Sequence, residues 1–323
     1  MPRTTLVLSN PRDTPGKPMP TPPMEVPASA PERSTLGVAL ITRNAARHLA
    51  ACLDAIDFAD DIVLLDQSST DDTVDIARTR GARVITAPDW PGFGVQKNRA
   101  IALLATDWIL LLDADEIVSE TLRASLQQHC QSVHSTMEVP DNAPPVVYAL
   151  DRVSSFCGQW IQHSGWRPDV IPRVFRRGNA CFSDDRVHER LLYDAPVRTL
   201  DGELLHFSYD NVDTVLRKID QYAAEGARQR FERAPGARPP SIGKAWWRAV
   251  WAFTRTYLLK RGFLDGGAGL TIAVMNAQTV FYRFLRLREQ LIAVRSPVHP
   301  DASGIDPSAE SVPKLKDDKK SMS

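Results

Sequence analysis

The run Trp108-Ile109-Leu110-Leu111-Leu112 contains no polar residue and ends at Asp113-Ala114-Asp115-Glu116. A short, wholly apolar run bounded by charged residues fits a strand buried on both faces, and such strands belong to parallel sheets covered by helices. In open sheets of that kind, ligands bind beyond the carboxyl ends of the strands. The acids after Leu112 therefore fall where a binding site is expected.

Three other segments have a related form. Leu36-Gly37-Val38-Ala39-Leu40-Ile41 runs into Thr42-Arg43-Asn44, Asp61-Ile62-Val63-Leu64-Leu65 into Asp66, and Arg83-Val84-Ile85-Thr86 is a short strand. Helical patterns lie between them. Leu49, Cys52, Leu53 and Ile56 recur at helical spacing, a helix starts at Thr73 with Asp71 or Asp72 as its cap, and another covers residues 93–104. Ser119 caps a further helix over residues 120–130. This alternation predicts an α/β fold built on an open, mostly parallel, Rossmann-like sheet. Its polar strand ends, residues 42–44, 66–69 and 113–116, converge on one crevice.

The 323 residues, 43% of them hydrophobic, suffice for a large core. The formal net charge of +0 argues against a nucleic-acid partner. Four cysteines with no C-x-x-C pair suggest neither a disulfide framework nor a zinc site, and fit free thiols in a reducing compartment. Residues 1–34 are proline-rich, lack the apolar core of a signal peptide, and read as a disordered leader. Residues 35–235 read as the main domain, with a nucleotide-binding half at 35–131 and an acceptor half at 146–210. The acceptor half includes more antiparallel strands near 146–150 and 171–175. The polar insertion between the halves reads as a loop, and residues 212–233 as a helix. Residues 241–292 form an aromatic and basic helical region, and 296–323 a disordered tail. No apolar run reaches the ~18 residues of a membrane span, which predicts a cytoplasmic protein, soluble or peripheral.

Asp113 and Asp115 alternate at a strand end and so point the same way. Their oxygens suit Mg²⁺ or Mn²⁺, ions that complete their shells with phosphate and water. Such an ion can neutralise a diphosphate leaving group. Asp66, ending another buried strand, can accept hydrogen bonds from a base or ribose. One helix before the acidic pair, Lys97 can approach a phosphate and Asn98 can read a base edge. Trp246, Trp247, Trp251, Phe253 and Tyr257 are interleaved with Lys244, Arg248, Arg255, Lys260 and Arg261. That mixture suits either an anionic membrane surface or a helical pair packed on the main domain.

Thr42-Arg43-Asn44, Asp66-Gln67-Ser68-Ser69-Thr70-Asp71, Gln96-Lys97-Asn98-Arg99-Ala100 and Asp113-Ala114-Asp115-Glu116 together resemble the family-two glycosyltransferases of the GT-A fold. Five later segments extend the resemblance to the bacterial lipopolysaccharide-core β-glucosyltransferase subgroup, over residues 36–289. They are Trp166-Arg167-Pro168-Asp169, Arg173-Val174-Phe175-Arg176, Val187-His188-Glu189, His206-Phe207-Ser208-Tyr209 and Gly262-Phe263-Leu264-Asp265-Gly266.

The resemblance implies inverting transfer of a hexose from a nucleotide sugar, UDP-glucose being the expected donor. The acceptor would be a lipid-linked glycan at the inner face of the inner membrane. It also implies that Thr42 and Asn44 border the nucleotide pocket, that Asp66 contacts uracil and that Asp113 contacts ribose or metal. Asp115 would coordinate the ion on the diphosphate, with His188 or His206 able to complete the site. Inversion needs a base for the acceptor hydroxyl, for which Glu189, in the His188-Glu189 motif, stands first and Asp185 next, with Asp184 also near. The chain departs from the family in having Gln67-Ser68 where Asp-Gly is usual and Asp72 where glycine is common. A differently shaped loop is expected there, because glycine tolerates backbone angles that serine resists. The Q-x-x-R-W signature of processive synthases is absent, which favours single addition. The alternatives are a nucleotidyltransferase, which would need more glycine than Gly37 in residues 36–50, and a membrane-associated module that binds a nucleotide sugar without turnover.

Overall fold

The computed structural model describes residues 33–132, 146–184 and 189–295. The first half runs β1 (Leu36–Thr42), α1 (Ala46–Asp54), β2 (Asp61–Asp66), α2 (Thr73–Thr79), β3 (Arg83–Thr86), α3 (Phe93–Ala102), β4 (Trp108–Asp113), β5 (Glu116–Val118) and α4 (Glu120–Cys130). The second half adds β6 (Val147–Phe156), β7 (Gln159–Trp160), β8 (Val170–Arg176), β9 (Ala180–Phe182), β10 (Leu191–Tyr193) and β11 (Val197–Tyr209). It closes with α5 (Val212–Arg233), α6 (Ile242–Thr254), a π-helical turn (Arg255–Leu259), a 3-10 turn (Gly262–Asp265) and α7 (Gly266–Arg295). The expectations for the leader, the tail and most of the insertion fall outside the described residues, as do Asp185 and His188.

The main sheet has the order β3-β2-β1-β4-β8-β6-β11-β5, with β7 added on β6, and β9 pairs with β10 separately. β3, β2, β1 and β4 are parallel. β8 is antiparallel to both β4 and β6, while β11 runs parallel to β6 and antiparallel to β5. The predicted α/β architecture, a parallel sheet extended by an antiparallel region, is the one observed.

The apolar runs have a direct cause. Leu36, Val38 and Leu40 of β1, with Leu110 and Leu112 of β4, pack on one face against Leu49 and Leu53 of α1 and Leu122 and Leu126 of α4. Ala39, Ile109 and Leu111 face the other way, toward Ala100 of α3 and Phe175 of β8. Both faces are covered, so neither set can be polar. Each fully buried Leu or Ile contributes roughly 1.5–3 kcal/mol relative to exposure.

At the start of α2, Asp72 occupies the cap position but makes no side-chain capping bond. Asp71 does that work from one residue earlier, where its Oδ1 accepts from the Thr73 backbone N–H at 3.1 Å. Ser119 does cap α4, accepting from the Leu122 N–H at 3.3 Å.

In the C-terminal part, Val215 and Ile219 of α5 pack with Ile272 and Met275 of α7 and with Phe156 and Tyr209 of the sheet. Asp265 ties the 3-10 turn down, accepting from Ser164 Oγ at 2.7 Å and from the backbone N–H groups of Gln162 and His163 at 3.1 Å. Gly269 lets α7 start against that turn, since a Cβ there would lie 1.8 Å from the Gly262 carbonyl oxygen. α6 packs through Ala245 and Ala249. Its Trp246, Trp247 and Trp251 point outward, 60%, 75% and 55% exposed, so they do not pack onto the main domain. Among the described residues, no helix is long and apolar enough to cross a membrane.

Candidate active site

Strand register sets the site. Thr42 of β1 lies beside Asp66 of β2, Ile41 beside Asp113 of β4, and Asp66 beside Thr86 of β3. The polar residues therefore emerge together at the carboxyl edge of the parallel strands. A cleft of about 860 Å³ opens there, and Thr42, Asn44, Lys97, Asp113, Asp115 and Glu189 all line it. Arg47, His48, His206, Asp210 and Lys218 complete its wall.

Asp66 does not line the cleft but sits buried beneath it. Its Oδ1 accepts from Thr42 Oγ1 at 3.0 Å and Ser69 Oγ at 2.5 Å, and its Oδ2 accepts from the Ser69 N–H at 2.8 Å. It thereby shapes the loop that forms the rim. Asn44 works with it: its N–H donates to Ser69 Oγ and its Oδ1 accepts from the Thr70 N–H, both at 2.8 Å. Ser68 adopts φ +51°, the left-handed region that glycine tolerates best. Serine takes the strained conformation, and the Asp66–Ser69 bonds on its far side hold it there.

The two aspartates of the D-x-D segment differ in their surroundings. Asp113 Oδ2 accepts from Arg173 Nη2 at 2.8 Å. Burial pushes the Asp113 carboxyl up, but Arg173, with Lys97 and His206, outweighs that and holds it at about 2. The same guanidinium lies 3.3 Å from Glu116 Oε1, and Glu116 Oε2 accepts from the Asp113 N–H at 2.9 Å. Glu116 is fully buried, and burial pushes its carboxyl above the usual range despite Arg173. Asp115 instead forms its ion pair, among the described residues, with His206, whose Nε2 stands 3.6 Å from Asp115 Oδ2. The expected metal pair is therefore unequal. Asp113 is already neutralised by a guanidinium, and Asp115 with His206 is the open donor set. Among the described residues no cluster of three or more metal-ligating side chains forms. Two protein donors fit a hard cation that takes the rest of its shell from diphosphate and water.

Across the cleft, Lys97 Nζ donates to Glu189 Oε1 at 2.8 Å and lies 5.1 Å from the centre of the Phe182 ring. Gly94, one turn earlier on α3, allows this close approach: a Cβ there would come within 2.0 Å of the Ser183 carbonyl oxygen and 3.3 Å of Glu189 Cβ. Asn98, for which a base-reading role is expected, is not among the residues that line this cleft. Its Nδ2 donates to the Phe182 carbonyl at 2.8 Å and its Oδ1 accepts from the Phe182 N–H at 2.7 Å, so both ends of the amide clamp β9 to α3.

Several site residues were missed in the sequence. His48 stacks on Phe207 with ring centres 4.6 Å apart, and its Nε2 lies 2.9 Å from Asp210 Oδ1. Lys218 Nζ donates to the Ser208 carbonyl at 2.8 Å, and burial pulls its ammonium down while Asp115 and Asp210 oppose that shift. His48, Asp210 and Lys218 sit on three separate elements or loops, and no spacing relates them. Arg173 did carry a signal, as a cation set between the apolar residues Ile171 and Val174-Phe175 of β8.

Residues 38–134 match the model of glycosyl transferase family 2. An uncharacterized glycosyltransferase of Rickettsia typhi is 24% identical over 272 residues, 81% of this chain and 89% of that protein. Another, from Rickettsia bellii, is 26% identical over 270 residues, 77% of this chain and 85% of that protein. The lipopolysaccharide core biosynthesis glycosyltransferase LpsC of Rhizobium meliloti is 23% identical over 270 residues, 77% of this chain and 92% of LpsC. The matched segment coincides with the parallel strands that bring Thr42, Asp66, Asp113 and Asp115 to one edge, and the longer similarities extend through the antiparallel region and into the C-terminal helices. Residues 38–134 are thus similar to the glycosyl transferase family 2 domain, and the chain over most of its length is similar to glycosyltransferases that include LpsC of lipopolysaccharide core biosynthesis.

Proposed function

We propose that the chain is an inverting hexosyltransferase that moves glucose from UDP-glucose to a lipid-linked core glycan, using Mg²⁺ or Mn²⁺. The carrying observation is the cleft at the carboxyl edge of the parallel strands, where Thr42, Asn44, Lys97, Asp113, Asp115 and Glu189 converge. In this reading the rim loop organised by Asp66 and Asn44 receives the nucleotide, and Asp113, oriented by Arg173, faces its ribose. Asp115 and His206 hold the divalent ion, which when bound supplies charge neutralisation for the departing diphosphate. Glu189 takes the proton of the acceptor hydroxyl, and Lys97 orients it across the cleft. Asp185, the second choice of base, is close in sequence and remains part of the proposal.

The outward tryptophans of α6, flanked by Arg248 and Arg255, support peripheral contact with an anionic bilayer on the cytoplasmic side. The LpsC likeness supports a core-glycan acceptor. The test is UDP release and product formation by purified protein given UDP-glucose and a truncated core lipid, with and without Mn²⁺. We expect metal-dependent transfer that Asp115→Asn lowers by about 10²-fold or more. Absence of transfer by the wild-type chain would sink the donor and acceptor assignment. Full activity in chelator, or in Asp115→Asn, would sink the metal assignment.

A further inference from the structure

A second cleft, of about 1160 Å³, adjoins the first and shares His206, Ser208, Lys218 and Tyr222 with it. It lies between α5 and α7, closed at one end by residues 234–240. Arg288 and Arg295 pin that connection by donating to the carbonyls of Pro240 and Gly236 at 3.0 and 3.1 Å. The lining is rich in cations that the fold does not neutralise. Arg230, Arg233, Arg238, Lys244 and Arg283 all line it, and none forms an ion pair with a carboxylate among the described residues. The two acids on its wall are engaged elsewhere: Asp169 with Arg152 at 2.8 Å, and Glu225 with Arg228 at 3.0 Å.

Arg283 is the most telling of these. Its Nε is buried without a hydrogen-bond partner. Burial, and then the charge of Arg230, pulls its guanidinium down from the usual range. Gly226 of α5 makes the space, since a Cβ at that position would lie 2.4 Å from Arg283 Nε. Arg230 is held close by, its guanidinium 5.2 Å from the centre of the Phe284 ring. Two neighbouring guanidiniums with no acid between them, one carrying an orphaned buried N–H, are unfavourable for an empty protein. An anion with several oxygens satisfies both, and arginine is the side chain whose planar fork fits phosphate.

We propose that this cleft binds phosphate groups carried by the acceptor glycan, with Arg230 and Arg283 as the principal contacts, and so delivers the acceptor hydroxyl to the donor cleft. This rests on the glycosyl-transfer reading above. The size of the cleft and the spread of its cations from Lys244 to Arg283 fit a phosphorylated saccharide better than a single small anion. Its continuity with the wall formed by His206, Ser208 and Lys218 gives the acceptor a direct route to Glu189.

The test uses the full chain in chelator at about 150 mM salt, the ionic strength at which exposed charges are already screened beyond ~8 Å. Inositol hexakisphosphate, a soluble polyphosphorylated ring, is titrated by calorimetry. Inorganic phosphate and UDP are titrated in parallel. We expect the wild-type chain to bind the hexakisphosphate far more tightly than inorganic phosphate. Arg230→Gln/Arg283→Gln should weaken that binding by tenfold or more. A second variant, Arg233→Gln/Arg238→Gln, changes only exposed side chains and should weaken it severalfold, which keeps the test open if the first variant folds poorly. Undetectable binding of the hexakisphosphate, unchanged binding by both folded variants, or equal affinity for inorganic phosphate would each overturn the proposal. UDP reports separately on the first cleft: hexakisphosphate binding lost with UDP binding retained in the wild type sinks this inference alone, whereas failure to bind UDP even after Mn²⁺ is restored sinks the donor reading.

Discussion

Asp113 shows how one side chain can link stability to pH. Its carboxyl titrates at about 2 in the folded chain because Arg173 and Lys97 outweigh the effect of burial. An unfolded aspartate titrates near ~3.9. The folded value is the lower one, so the stabilisation is complete above pH ~4 and is lost as pH falls through about 2. Glu116, pushed up by burial, contributes with the opposite sign, so the wild-type acid curve mixes the two. Asp113→Asn isolates the first. We expect it to lower stability by about 1–2 kcal/mol at pH 7, with the difference from wild type shrinking between pH ~4 and ~2 in urea titrations. A constant difference across that range would contradict the assignment. Ser68 offers a second residue-scale check. Holding serine at φ +51° costs about 1 kcal/mol or more, part of which glycine returns as unfolded-chain entropy. Ser68→Gly should therefore raise the denaturant midpoint, by about 0.5–1 kcal/mol in stability, with no loss of UDP binding.

At the scale of elements, what the sequence revealed follows from burial. β1, β2 and β4 were legible because helices cover both faces and leave no position for a polar residue. β5 was not, because three residues carry no period. β11 was not either, despite thirteen residues, since it alternates irregularly and its pairing with β6 shifts register between Thr199 and Glu203. The site divides in the same way. Residues at the ends of apolar runs, Thr42, Asp113 and Asp115, were legible as lining the cleft because the strand pattern points to them. His48, Asp210 and Lys218 were not, because tertiary packing alone brings them together. The clamp made by Asn98 could not be read either: its neighbour Phe182 is distant in sequence, and the amide's two backbone bonds cannot be seen without it. For α6 the sequence left open two readings that can both hold; the outward direction of its tryptophans argues against their packing on the main domain and leaves the membrane reading to be tested. Interfacial tryptophans beside arginines bind anionic bilayers through both apolar insertion and charge. Trp246→Ala/Trp247→Ala should lower partitioning onto vesicles containing anionic lipid by about tenfold or more. Its stability should change by only about 0.5 kcal/mol, because neither ring supports the core. Equal vesicle binding by the double variant, measured by co-sedimentation, would remove the membrane role from this helix.

At the scale of the whole molecule, the critical junction is where parallel strands give way to antiparallel ones. β8 pairs with β4 on one side and β6 on the other, so Arg173 reaches Asp113 and Glu116 from the antiparallel side. Arg152 of β6 approaches Glu116 Oε1 at 3.3 Å and continues to Asp169 at 2.8 Å. One buried cation therefore joins the parallel half of the sheet to the antiparallel half, and it also orients an aspartate that lines the cleft at the carboxyl edge of the parallel strands. Removing one partner of a buried charge network is more damaging than its net contribution implies, because the remaining charges are stranded. Arg173→Met keeps much of the volume and removes the charge, leaving Glu116 fully buried beside Asp113 with Arg152 as its remaining ion-pair partner among the described residues. We expect a loss of about 3–5 kcal/mol in folding stability. In whatever fraction folds, UDP affinity should fall as well, because Asp113 loses its orienting partner. Glu116→Gln/Arg173→Met should recover part of the stability, since it withdraws a stranded carboxylate along with the cation, yet it should not restore UDP affinity. Denaturant midpoints and UDP titrations on the two variants separate the effects. Recovery of both together would mean that Arg173 acts only through the fold, whereas recovery of stability alone assigns it a positioning role in the donor cleft.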